Sequence, residues 1–105
     1  MNEAKYQRDL IKRLRERFKG CVILKNDPSF VQGIPDIVIL YNDKWAMLEL
    51  KRAKNSDRRP NQEYYVEMLD GMSFAAFIDP GNEEEVLDDL QQTFRDSREA
   101  RIPFT

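Results

Sequence analysis

Apolar positions change their period several times along the chain, and each change marks an element. From Glu3 to Lys19, Tyr6, Leu10, Ile11, Leu14 and Phe18 recur at helical spacing among charged residues, and Gly20 ends the pattern. This predicts an amphipathic helix. Cys21–Leu24 is a short strand candidate, and Asp27-Pro-Ser and Gln32-Gly-Ile-Pro35 mark loop. Asp36–Tyr41 is a β-branched apolar run, predicting a buried strand. Asn42-Asp43 is a tight-turn signal leading into a further strand over Lys44–Arg52. A polar, basic loop follows from Ala53 to Arg59. Pro60 suits the first turn of a second helix, with Tyr64, Tyr65, Met68 and Leu69 apolar and Gly71 as its stop. Ser73–Ile78 predicts a fourth strand and Asp79-Pro-Gly-Asn82 a turn. Glu83-Glu-Glu85 loads the start of a third helix, where carboxylates complement the helix dipole. Its apolar stripe is Val86, Leu87, Leu90 and Phe94. The order is αβββαβα. A hairpin followed by β-α-β implies an α/β fold, a mixed β-sheet flanked by helices.

Length and composition narrow the chemistry. A chain of 105 residues predicts one domain, 1–105, with its core at about 3–95 and a tail, 96–105, that frays or docks on a partner. Apolar residues make up 41% and charged residues 34%, a globular balance. There is no histidine and one cysteine, Cys21. Ser-His-Asp and Cys-His catalysis, an intrachain disulfide and a His/Cys zinc site are therefore excluded. Any chemistry must rest on carboxylates, lysine, amides, hydroxyls or a hard metal ion. The polar start predicts no signal peptide, and Ile37–Tyr41 is the longest uncharged apolar run. A cytoplasmic protein with no membrane contact and no small-molecule cofactor is expected.

The net charge of −2 conceals a polarised chain. Residues 1–25 carry eight basic and three acidic side chains, while residues 61–105 carry three basic and eleven acidic ones. Residues 43–60 are again basic, six against three. Basic blocks of this kind are what phosphate backbones select. Lys12, Arg15, Lys19 and Lys25 in the first block are candidate DNA contacts, as are Arg52, Lys54, Arg58 and Arg59 in the second.

Three ionisable residues stand where a plain strand would not place them. Asp36 opens an apolar strand, and Glu49 and Lys51 fall within the next. Side chains alternate along a strand, so Glu49 and Lys51 share a face with Trp45 and Met47, which is expected to pack under the first helix. Asp36 lies six residues before Asn42 and Glu49 six after Asp43. The hairpin therefore brings the two carboxylates level. Carboxylates so close repel and raise each other's pKa unless a cation lies between them. Mg²⁺ or Mn²⁺ suits such oxygen donors, with the backbone carbonyl of Leu50 a further ligand. Lys51 stands ready to orient a water or to face charge developing on a phosphate.

Gly33-Ile-Pro35-Asp36, then Glu49-Leu50-Lys51, resembles the PD-(D/E)XK nuclease signature. Pro60-Asn-Gln62 on the next helix narrows the likeness to the VRR-NUC group, the virus-type replication-repair nucleases. The resemblance spans about residues 3–90 and implies a restriction-endonuclease-like αβββαβ core. It implies an Mg²⁺- or Mn²⁺-dependent endonuclease hydrolysing phosphodiester bonds in DNA, with a bacterial or phage setting and a homodimer acting on branched or four-way DNA. The family pattern adds an acidic residue on the first helix. At about 100° per residue, Glu3 falls on the inward arc and Glu16 nearly opposite, so Glu3 is the expected member. Gln62 is in position to hold a phosphate or a bound water. The alternatives are a non-catalytic DNA-binding subunit with the same fold, a nicking enzyme on duplex DNA, and an RNA-directed or protein-interaction module.

Overall fold

The computed structural model describes residues 2–99, with side chains described through Arg95. Three helices and four strands follow in the expected order: α1 (Glu3–Arg17), β1 (Val22–Lys25), β2 (Ile37–Tyr41), β3 (Lys44–Leu50), α2 (Pro60–Met72), β4 (Ala75–Ile78) and α3 (Glu83–Glu99). The sheet order is β1-β2-β3-β4, with β3 and β4 parallel and the other pairs antiparallel. The sheet is mixed, as the element order implied.

Boundaries shift for local reasons. Asn2 caps α1 by accepting from the Lys5 N–H at 2.7 Å. Gly20, at φ +89°, turns the chain away after the helix. Tyr41 pairs with Lys44, so Asn42-Asp43 forms a two-residue hairpin turn, and Asn42 adopts φ +55°. β3 ends at Leu50 rather than Arg52, although the Lys51 N–H still reaches the Ile78 carbonyl at 2.8 Å. α3 runs to Glu99, so residues 96–99 of the expected tail are helical. Residues 100–105 lie outside the described residues.

Tyr6, Leu10 and Leu14 of α1, with its C-cap Phe18, meet Ile37, Ile39, Ala46, Leu48 and Leu50 of the sheet and Val86, Leu87, Leu90 and Phe94 of α3 in one buried core. The expectation that Trp45 and Met47 pack under α1 is therefore corrected. The helix covers the Ala46–Leu48–Leu50 face, and Trp45 and Met47 lie on the other side. Alternation along β3 separated the two faces but could not say which helix takes which.

Ionic contacts tie α1 to α3. The Arg13 guanidinium donates to both Glu83 oxygens at 2.6 and 2.8 Å, and Tyr6 Oη donates to Glu83 at 2.9 Å. Burial, with the Glu83 carboxylate beside it, pushes the Tyr6 phenol well above its usual range. Arg17 pairs with Asp88 and donates to Gln91. The contrast between a basic start and an acidic end is thus partly internal: two of the arginines of α1 answer the acidic face of α3.

Candidate active site

The hairpin delivers the carboxylates as counted from the sequence. Ile37 pairs with Leu48, so Asp36 and Glu49 are the next residues along the two strands. Their side chains lie close enough to perturb each other's ionisation. The Leu50 N–H donates to Asp36 Oδ2 at 2.8 Å and fixes that carboxyl from the facing strand. Glu49 is only 4% exposed. Burial first, and then the charge of Asp36, push its carboxyl up to about 8. Burial also raises Asp36, against the pull of the Leu50 N–H and the Lys51 charge. The two acids therefore share a desolvated place in which both cannot comfortably ionise.

Glu3, exposed in the first turn of α1, lies close enough that its charge adds to the rise at Glu49. Lys51 Nζ stands 3.8 Å from Glu49 Oε2. Gln62 links the group. Its amide nitrogen donates to Glu49 Oε2 at 3.1 Å, while its Oε1 accepts from Lys51 Nζ at 2.9 Å and from the Arg59 N–H at 3.1 Å. The last contact closes the N-terminus of α2, so the start of that helix, the glutamate and the lysine are locked together. In the structure the Gln62 amide bonds both Glu49 and Lys51 and holds the two side chains relative to each other.

Asn26 drew no notice in the sequence. Its N–H donates to the Asp36 carbonyl at 2.9 Å and its side-chain amide to the Pro35 carbonyl at 2.8 Å. It clamps the segment that presents Asp36. Nothing in a lone Asn after a strand announces such a long-range contact. On the far side of that segment, Gly33 has φ +92°, and a Cβ there would lie 2.8 Å from Asn61 Cγ. Glycine is required by both conformation and space.

The candidate DNA contacts fall into two groups. Lys12, Arg15, Lys19 and Lys25 line one open groove of ≈ 900 Å³, together with Arg8. Arg52, Lys54, Arg58 and Arg59 belong to the loop between β3 and α2 and are exposed. Arg58 is the most constrained of these, its guanidinium 4.1 Å above the Phe77 ring.

Among the described residues, no three His, Cys, Asp or Glu side chains converge as a metal cluster. The convergent set is the pair Asp36 and Glu49. Two adjacent carboxyls with raised pKa values, Glu49 buried and Asp36 half-buried, fit a divalent cation, whose charge would offset their repulsion. Mg²⁺ in particular is commonly held by one or two carboxylates and keeps several waters.

No protein-family model and no curated protein matches the chain. A solved structure titled "VRR_NUC domain protein" is similar over 90% of this chain and 89% of that one, with a TM-score of 0.65 and 22% sequence identity. The chain has the VRR-NUC nuclease fold, as its motifs implied. At that identity the likeness is one of fold. No helix is long and apolar enough to cross a membrane among the described residues.

Proposed function

We propose that this chain is an Mg²⁺- or Mn²⁺-dependent DNA endonuclease. The observation that carries the reading is the Asp36–Glu49 pair, Glu49 buried and Asp36 half-buried, set beside Lys51 on the central hairpin of a nuclease-like fold. Asp36 and Glu49 would hold the cation with the Leu50 carbonyl, and Glu3 would join through water. Such an ion would lower the pKa of a water and neutralise charge on the scissile phosphate. The protein groups do the rest. Lys51 Nζ, steadied by Gln62, orients the attacking water and donates to phosphate oxygens as negative charge grows on them. Its position next to the carboxylates supports a role at the reacting phosphorus rather than along the backbone. The α1 groove and the cations of the 51–59 loop neutralise flanking phosphates, so affinity falls steeply as salt rises.

Branched or four-way DNA is the proposed substrate, in a phage or bacterial replication, recombination or repair setting, with a homodimer supplying two sites. A bare apolar surface supports the dimer. The register puts Val22 and Leu24 of β1 on one sheet face with Val38 and Leu40 of β2, opposite the buried Ile37 and Ile39. Val22 and Leu24 remain about half exposed, and Tyr64, Met68 and Met72 form an exposed stripe along α2. A strand apolar on both sides, as β2 is, is normally covered on both.

Three measurements test the reading. Calorimetric titration with Mn²⁺ should show binding to the wild type that Asp36→Asn abolishes, and unchanged binding in that variant removes the metal site. Linear duplex, single-stranded, flapped and four-way DNA, each with Mg²⁺ or Mn²⁺, should be cut with a preference for the branched forms. Sedimentation at micromolar protein should give a dimer that Leu24→Lys dissociates. A wild-type monomer would leave nicking of duplex DNA as the better account.

A further inference from the structure

We infer that Phe30 is a base-stacking residue that selects DNA carrying an unpaired nucleobase close to the phosphate being cut. The inference rests on the nuclease reading for where cutting occurs, but its binding component stands apart from catalysis.

Phe30 sits in the middle of the β1–β2 loop with 87% of its surface exposed, more than any other large apolar side chain described. The loop beneath it is well braced. Phe30 and Val31 N–H both donate to the Asp27 carbonyl, at 3.1 and 3.3 Å. Asp27 Oδ1 accepts from the Ser29 N–H at 2.9 Å and from the Ser29 hydroxyl at 2.6 Å. The Ile34 N–H closes a further turn onto Val31 at 3.2 Å. The ring is therefore held out from a hydrogen-bonded turn.

The same loop is anchored at the site on both sides. Asn26 fastens its base to Pro35 and Asp36, and Gly33 packs against Asn61, the neighbour of Gln62. An arc of residues 27–34 closed at both ends extends no more than about 13 Å from its base, at roughly 3.3 Å per residue. Phe30 is thus displayed within a few nucleotides of the Asp36–Glu49 pair. Lys25, at the foot of the loop, lines the basic groove and can hold the backbone beside it.

An exposed ring in that place has one chemical use with nucleic acid, which is to stack. A fully paired duplex offers it no free base face. A fork, bulge or junction does, and aromatic stacking on an unpaired base tolerates any sequence. Phe30 would therefore read DNA structure rather than sequence, while the lysines and arginines bind both forms alike.

The test compares a paired duplex with the same duplex carrying an unpaired fork, measured by fluorescence anisotropy at one fixed salt concentration without divalent metal. Wild type should bind the fork more tightly. Phe30→Ala should weaken fork binding about tenfold while paired-duplex affinity stays within about twofold, in keeping with the usual loss of one stacked base. Phe30→Trp, which keeps an aromatic face, should retain the preference. No fork preference in the wild type, an unchanged fork-to-duplex ratio in Phe30→Ala, or an equal loss on both DNAs would overturn the inference. Cleavage of the same two DNAs with Mn²⁺ is scored separately. Fork preference without cleavage sinks the nuclease reading and leaves the stacking residue standing, whereas cleavage with an unchanged ratio does the reverse.

Discussion

Replacing Glu49 with glutamine should stabilise the metal-free protein, and increasingly so as pH rises. In the folded chain Glu49 titrates at about 8, against an ordinary value of 4.5. Its folded pKa lies above its unfolded one. The stability this confers is complete below about pH 4.5 and is lost as pH rises through about 8. At 1.36 kcal/mol per pKa unit, and with the site relaxing around the charge, the cost is about 2–3 kcal/mol. Glutamine at position 49 carries no charge, can donate to Asp36 and can still accept from Gln62. For a domain of this size the gain corresponds to a rise in Tm of about 10–20 °C at pH 9 and little change at pH 4. Thermal melts of wild type and Glu49→Gln, followed by circular dichroism in EDTA from pH 4 to 9, measure this directly. Two melting curves that stay a constant distance apart across that range would refute the idea that the carboxyl pair is a strained, proton-sharing site. Mn²⁺ should raise the wild-type Tm at pH 8 and leave the variant largely unmoved, because the cation relieves the same repulsion.

Gly33→Ala should cost about 1–3 kcal/mol, since it forces a side chain into a left-handed backbone and against Asn61; a denaturant midpoint equal to wild type would show that the loop is not held as described. Glu83→Ala should cost about 1–3 kcal/mol by stranding the buried Tyr6 hydroxyl and freeing Arg13, an effect read in urea melts. The double variant Glu83→Ala/Arg13→Ala should lose clearly less than the two single losses added together, because the residues share one contact.

The parts of this fold that sequence conveys are those fixed by local chemistry. Asn42-Asp43 can serve as a tight hairpin turn, and counting outward from it sets Asp36 level with Glu49. Gly20, Pro60 and the Glu83-Glu-Glu85 run bounded their helices because caps and stops act within one turn. What stayed hidden depends on contacts between distant residues. Alternation in β3 gave two faces without saying that α1 would take the Leu48 side. The basic α1 block could not be divided into Arg13 and Arg17, which face α3, and Lys12, Arg15 and Lys19, which face the open groove. Nor could the pattern reveal that Tyr64 and Met68, apolar at helical spacing, would remain outside the core. Asn26 and the linking role of Gln62 are tertiary hydrogen bonds, for which composition and period carry no signal.

The central claim is that the carboxyl pair and its lysine form a site that hydrolyses DNA. Single-turnover cleavage of end-labelled branched DNA in Mn²⁺, with wild type and Lys51→Ala compared at saturating protein, tests it most directly. Lys51 is one cation among many for binding but acts on the reacting phosphate. The account predicts DNA affinity within a few-fold of wild type and a cleavage rate reduced at least about a hundredfold, the usual scale for a positioned group that acts in the transition state. Cleavage by Lys51→Ala at the wild-type rate would contradict it.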